Sequence, residues 1–448
     1  MTRPWCERSA GVLLHLSSLP AGALHGEIRR FAELAAGAGL RVWQLLPLGP
    51  SADGRNPFAA ASAFAIDPRH AAPPMAIDAR ERERFHEENA DWLPDWCLFS
   101  ALKAQHANAP WWEWPAALRH REPGALASAR AALADAVDDA CLVQLRFDVT
   151  WREFRRTAAS LGLKLFGDVP LFVARDSADV WAHRDLFETD ADGRLTAVAG
   201  VPPDAFSASG QLWGLPPYRW DVMAGTGFAW WKRRFEVQAR RHDVLRIDHF
   251  RGLAAWWRIP PDARTAAEGD WVAGPGRAAI DALAPVLGEV RLVAEDLGVI
   301  TDDVVELRRA LGLPGMRVLQ FAFDGNPDNP HLPRHHGPDS VCYTGTHDND
   351  TTLGWWRGLG AAERAEAART LGDPHPDMPR ALVELAWSSP APLALVPMQD
   401  LLGLGGEARM NRPGVADGNW TWSFDWRQLP ADFAGRLRED LARHGRIP

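Results

Sequence analysis

Eight short apolar runs recur along the chain, each followed at once by polar residues, and this spacing constrains the fold more than any other feature. The runs are Gly11 to Leu16, Val42 to Leu46, Leu163 to Phe166, Val244 to Ile247, Arg291 to Ala294, Arg317 to Phe321, Ser340 to Tyr343 and Leu393 to Val396. Continuous rather than alternating apolar character is what strands covered on both faces require, and such strands belong to parallel sheets. Helical periodicity lies between most of them, over Glu27 to Ala38, Trp151 to Leu161, Trp230 to Arg241, Arg277 to Leu287, Asp302 to Leu311 and Ala361 to Leu371. These alternations predict an α/β fold closed as a (β/α)8 TIM barrel. An open doubly wound sheet would need a G-x-G-x-x-G turn after an early strand, and no run is followed by one.

Barrels of this kind build their sites from the loops at the C-terminal ends of the strands. In order, those ends carry Ser17 and Ser18, Pro47 to Asp53, Asp168, Asp248 with His249, Glu295 with Asp296, Gln320, Thr346 to Asp350, and Gln399 with Asp400. Polar groups placed directly after apolar runs converge on one rim. The chain therefore reads as a single catalytic barrel over residues 1–448 with two stretches outside the alternation. Residues 69–140, which include Trp111, Trp112 and Trp114, read as a helical insertion subdomain. Residues 174–227, rich in Gly, Pro and Asp, read as a loop-rich insertion over the active site.

Composition narrows the partners. Lys and Arg number 49 against 58 Asp and Glu, a formal charge of -9 without a basic block, so no nucleic-acid partner is expected. No run of 18 apolar residues exists, so no membrane span is expected, and the first apolar run, interrupted by His15, Ser17 and Ser18, reads as a buried strand rather than a leader. Cys6, Cys97, Cys141 and Cys342 lie far apart without C-x-x-C spacing. That pattern predicts neither a zinc knuckle nor a disulfide framework and makes the reducing cytoplasm the default compartment. The 22 tryptophans against 2 tyrosines supply stacking surface for sugar rings, although much of it must be core. Nothing in the sequence sets an oligomeric state.

Asp248 and Glu295 end neighbouring strands, and paired carboxylates are what glycoside chemistry needs: one attacks the anomeric carbon and the other moves the proton. Arg246, two residues before Asp248, points to the same side of its strand and would keep Asp248 ionised, whereas Glu295 needs less polar surroundings to stay protonated. His347 and Asp348 add an imidazole and a third carboxylate suited to gripping adjacent sugar hydroxyls. The competing reading is a metal site of His249, His347, Asp348 and Asp350. It lacks the H-E-x-x-H or clustered-histidine spacing of catalytic zinc, so no metal is expected. A serine-hydrolase G-x-S-x-G and a glycine-rich phosphate loop are also absent.

Five segments in this order carry a resemblance: Gly167 to Pro170, Gly200 to Asp204 continuing through Gly210 to Gly214, Arg246 to Gly252, Ala294 to Gly298, and Gly345 to Asn349. They look like those of the 4-alpha-glucanotransferases, also called amylomaltases or disproportionating enzymes, and the match runs from Gly11 to about Trp422. The resemblance implies a barrel of the alpha-amylase clan performing retaining chemistry on maltooligosaccharides and α-1,4-glucans without a cofactor. It implies Asp248 as nucleophile, Glu295 as acid/base and Asp348 as the carboxylate that stabilises the transition state. The substrate-binding set it implies is Arg246, His347, Trp213, Phe58, Asp168, Asp204, Phe206 and Gln211, with Phe206 to Trp213 arching over the glucan. Read from its residues alone, that last run could equally pack as a core hairpin.

Two places depart from the family pattern. Asn56-Pro57-Phe58-Ala59 stands where Ser-Pro-Tyr-Gln is usual, and Trp213-Gly214-Leu215-Pro216 where Trp-Gly-Asn-Pro is common. Hydrogen-bonding groups are thereby exchanged for apolar ones. Two alternatives to a glucan-segment transferase follow: a hydrolase or specialised transferase with the same carboxylates, and a catalytically silent glucan-binding protein.

Overall fold

Eight parallel strands follow one another around a single sheet in the computed structural model, which describes residues 7–20, 26–203, 209–371, 378–415 and 417–447. They are β1 (Ser9–Leu13), β2 (Val42–Gln44), β3 (Lys164–Val169), β4 (Val244–Ile247), β5 (Arg291–Ala294), β6 (Gly315–Val318), β7 (Ser340–Tyr343) and β8 (Leu393–Pro397), and β8 pairs with β1. The fold is the expected TIM barrel. Strands β1 and β6 begin earlier than their apolar runs, because Leu16–Ser18 and Leu319–Phe321 turn as short 3-10 segments at the rim.

The seam between β5 and β6 is closed largely by a side chain. Ala294 N–H reaches the Pro314 carbonyl at 2.9 Å, and the Asp296 carboxylate accepts Met316 N–H at 2.6 Å. Arg308 at 3.2 Å and Arg317 at 3.3 Å compensate the buried Asp296 charge. A Cβ on Gly315 would lie 2.2 Å from that carboxylate, so the approach requires glycine here.

The two-residue period of the strands links core to site. Val42, Phe166, Val244, Val293, Val341 and Leu395 pack together inside the barrel. Two residues further along the same faces come Gln44, Asp168, Arg246, Glu295 and Tyr343, and Asp248 follows Arg246. The floor of the barrel is thus apolar and its upper layer polar, without any change of backbone direction. Trp43, Leu165, Leu245 and Leu292 point the other way and pack against the outer helices.

Helices sit where periodicity placed them, with two adjustments. The Trp151 to Leu161 pattern is the end of a longer helix, Ala134–Ser160, and Arg277 to Leu287 splits into Arg277–Asp281 and Ala284–Leu287, with Pro285 in the first turn of the second piece. Residues 69–140 contain helices Ala79–Glu88, Leu93–Gln105, Ala116–Arg119 and Pro123–Ala132. Cys97 and Cys141 are joined as a disulfide between Leu93–Gln105 and Ala134–Ser160, which corrects the expectation of unpaired cysteines. Their separation of 44 residues hid the contact, because it arises only once those helices pack together with Cα atoms 5.7 Å apart. In a reducing compartment the pair would stand as two thiols.

Residues 174–227 are not all loop. Val198–Val201 and Gln211–Leu215 form antiparallel strands, and Ala255–Ile259 and Asp270–Ala273 extend them into a four-stranded sheet at the barrel rim. Its inner face, with Ala199 and Trp256, packs on the main core, and Trp213 and Val272 pack against that core as well.

Candidate active site

Arg246 organises the centre of the rim. Its guanidinium donates to both oxygens of Asp168, at 2.8 and 2.7 Å, and reaches Asp248 at 2.8 Å. Arg246 and Asp168 are buried, while 26% of the Asp248 side chain stays open to the cleft. Burial raises the Asp168 carboxyl and the paired guanidinium opposes it, so Asp168 serves as the anchor that orients Arg246 toward Asp248.

Glu295 is held by backbone. Leu297 N–H donates to Oε1 at 2.9 Å and His249 N–H to Oε2 at 2.8 Å. The second bond exists because His249 adopts φ +49°, in the left-handed region that non-glycine residues rarely enter. Such a conformation costs about 1–3 kcal/mol and collects at functional sites. The His249 ring itself packs edge-on to Trp213 at 4.8 Å. Burial pushes the Glu295 carboxyl up to about 8, with Arg246 opposing and Asp248 reinforcing the shift. At neutral pH the rim therefore presents a protonated carboxyl at Glu295 beside the arginine-paired Asp248.

The third carboxylate sits in a different setting. Asp348 keeps 45% of its side chain exposed, 3.4 Å from His347 Nε2. Asn411 Nδ2 donates to Asp348 Oδ1 at 2.6 Å, and Arg409 donates to the Asp348 carbonyl and the Asn411 carbonyl, each at 2.7 Å. Burial holds the His347 imidazole below its usual range. Phe58 stacks on it at 4.7 Å and 15°, and Trp420, at φ +62°, leans on both rings at 5.8 Å.

Asp248, Glu295, Asp348, Arg246, His347, Asp168, Phe58 and Trp213 thus occupy the rim elements anticipated for them. Gln211 accepts the Trp213 indole N–H at 3.1 Å and orients that ring. Asp204 and Phe206 lie outside the described residues. Other strand-end polar groups turn away from the cleft: Gln320 binds the Asp350 carbonyl at 2.8 Å, and Asp400 accepts from Thr344 and Thr352. Asn419 closes its own loop through Arg412 and Val415. Leu215 packs against the core. Among the described residues no group of three His, Cys, Asp or Glu is arranged to hold a metal, and Asp350 instead accepts Thr351 N–H.

Sequence reasoning missed Arg409, the Asn411 bond to Asp348, and the His249 amide. The first two lie in the long loop after β8, where position after a strand end was the available signal. A backbone donor created by a left-handed residue has no side-chain signature.

A model of the family described as 4-alpha-glucanotransferase matches residues 70–428. The chain is 44% identical to a 4-alpha-glucanotransferase of Thermus thermophilus, over 96% of this chain and 97% of that one. It is 38% identical to one of Synechocystis sp., over 98% of each. Amylomaltase from Streptococcus agalactiae, solved in complex with acarbose, matches with a TM-score of 0.93 at 29% identity, covering 99% of this chain and 100% of that one. Amylomaltase from Corynebacterium glutamicum shares the fold, with a TM-score of 0.79 at 16% identity over 98% of this chain and 75% of that one.

Proposed function

The chain belongs to the 4-alpha-glucanotransferase family, and from that premise we propose that Asp248, Glu295 and Asp348 carry a retaining transfer of α-1,4-glucan segments between maltooligosaccharides. The observation behind this reading is the different setting of two neighbouring carboxyls: Asp248 ion-paired with Arg246 at 2.8 Å, and Glu295 pushed up to about 8 by burial.

In the first step an Asp248 oxygen attacks the anomeric carbon, the bond to the leaving 4-oxygen breaks, and Glu295 gives that oxygen its proton. A glycosyl ester on Asp248 remains, with Glu295 ionised and its two backbone donors supporting the charge. The 4-hydroxyl of an acceptor sugar then passes its proton to Glu295 and attacks the same carbon, releasing Asp248 with the α configuration restored. Asp348, set by Asn411 and Arg409, and neutral His347 hold the hydroxyls of the reacting ring. Arg246, Asp168, Phe58, Trp213 and Gln211 shape that subsite, and Asp204 and Phe206 belong to the same proposed set.

Incubating the protein with maltotriose tests the reading. Chains both longer and shorter than the substrate are expected; only shorter ones would mean hydrolysis, and an unchanged sugar would mean binding alone. The barrel as the single catalytic domain, with 69–140 and 174–227 as its insertions, is part of the proposal. So is a cytoplasmic location, which fractionation of producing cells would check; among the described residues no helix is long and apolar enough to cross a membrane.

A further inference from the structure

Among the described tryptophans, Trp271 alone is exposed, with 41% of its surface open, whereas Trp43, Trp111, Trp151, Trp181 and Trp231 are fully buried. It lies on the edge strand of the antiparallel sheet. Register places Leu212, Gly200, Trp257 and Trp271 opposite one another in a row across the four strands, on the face away from the barrel core. Leu212, at the far end, is 46% exposed, and Trp257 meets Trp271 edge-on at 5.0 Å. The loop with Ala263 and Ala266 covers Val198 and Ile259 and also holds Trp257, whose indole N–H donates to the Ala266 carbonyl at 2.7 Å, so the two ends of the row, Leu212 and Trp271, are its exposed members. Gly200, in the middle of the row, is buried: a Cβ there would lie 2.2 Å from the Gln211 carbonyl and 2.5 Å from Ile259 Cδ1, so only glycine fits at this crossing.

The row is tied to both catalytic loops. Arg251, three residues after Asp248, stacks its guanidinium 3.8 Å from the Trp271 ring centroid and donates to the carbonyl of Val299. Val299 lies four residues after Glu295 and is itself exposed. The acid/base protonates the leaving oxygen, so the leaving and incoming glucan occupies the Glu295 side of the cleft. Buried Arg251 links that side of the cleft, through Val299, to the exposed Trp271.

We propose that Trp271, with Trp257 and Arg251 bracing its ring, is a remote acceptor-side platform that stacks the distal sugar rings of a long α-1,4-glucan, outside the reach of a short acceptor. This rests on the transfer reading above. An indole with 41% of its surface open, braced by Arg251 and Trp257, suits the apolar face of a glucose ring.

The test measures acceptor KM for maltose and for maltoheptaose, with one donor, in the wild type, Trp271→Thr and Trp271→Phe; threonine suits an edge strand and keeps the fold. The expected result for Trp271→Thr is a rise of about tenfold in the maltoheptaose KM relative to the maltose KM, while Trp271→Phe stays within about twofold of wild type. An equal change for both acceptors, or a phenylalanine variant as impaired as the threonine one, would make Trp271 a packing partner of Arg251 and overturn the platform. So would an unchanged ratio in Trp271→Thr. A wild type that produces no transfer overturns the parent reading and the platform with it, whereas a transferring wild type with a flat ratio overturns the platform alone.

Discussion

The two halves of the site are built by different means. At the ends of β3, β4 and β5, buried charges fix one another: Asp168 anchors Arg246, Arg246 holds Asp248, and two backbone amides hold Glu295. Beyond β7 and β8 the groups are partly exposed and supported by loops and rings: Asp348 by Asn411, and His347 by Phe58 and Trp420. Bond making needs one carboxyl held as a nucleophile and the other kept protonated, and a pre-set network that pairs Asp248 with Arg246 and buries Glu295 suits that. Recognition of a ring that must distort and leave tolerates a softer support. Substitutions in the first half should therefore lower the rate by about three orders of magnitude or more, and those among the supports of the second half by no more than about two.

The largest expected effect is that of Asp248→Asn, because an amide forms no glycosyl ester: maltotriose turnover should fall on the order of ten thousandfold with the melting temperature retained. Activity within tenfold of wild type would remove Asp248 from the role of nucleophile. Glu295→Ala comes next, with a loss of about a thousandfold on maltotriose but far less on an α-glucosyl fluoride, which leaves without a proton. Azide should then yield a glycosyl azide of retained configuration, and an inverted product would refute double displacement. The sign of the pH effect follows from the protonated form doing the work. With Glu295 pushed up to about 8, kcat/KM for maltotriose should decline as pH rises through that value, and the decline should weaken with the fluoride donor.

The same contrast decides what the sequence shows. Strand order, the inward series Val244, Arg246, Asp248 and the pair Val293, Glu295 are legible because a strand's two-residue period carries a core position onto a site position without any tertiary knowledge. The softer half is less legible. Arg409 and Asn411 reach Asp348 from more than 60 residues away, through a loop whose path no periodicity encodes. The strands Ala255–Ile259 and Asp270–Ala273 are four or five residues long and half covered by a rim loop, so they offer no clean alternation. Cys97 and Cys141 meet only through helix packing. Local chemistry is readable where it is coupled to regular structure, and hidden where it depends on how loops cross.

Asn411, bonded to Asp348 and to the His347 carbonyl, supports the second half and gives a medium effect. Asn411→Ala removes a hydrogen bond of 2.6 Å to a carboxylate, a loss of about 1.5–3 kcal/mol when the acceptor is charged. The kcat for maltotriose should fall about ten- to a hundredfold while KM changes little, because Asp348 is freed rather than removed. Asn411→Asp should be worse than Asn411→Ala, and increasingly so as pH rises, since it places a second carboxylate against Asp348. An aspartate variant as active as the alanine one would mean that Asp348 is not the group Asn411 positions.

The smallest effect probes the place where this chain departs from its family. Phe58 is half-buried, its ring parallel to His347 and tilted against Trp420, so the stack itself is satisfied without a hydroxyl. Phe58→Tyr keeps that stack and adds one donor at the rim, worth about 0.5–1.5 kcal/mol if a sugar oxygen accepts it. The maltotriose KM should then fall by roughly two- to tenfold with kcat and melting temperature nearly constant. A companion Leu215→Asn should bring no such gain, because Leu215 packs against the core and an amide there would be desolvated. If Phe58→Tyr instead raises KM, the apolar ring is matched to a less polar acceptor, and the softer half of the site is where this enzyme has set its own specificity.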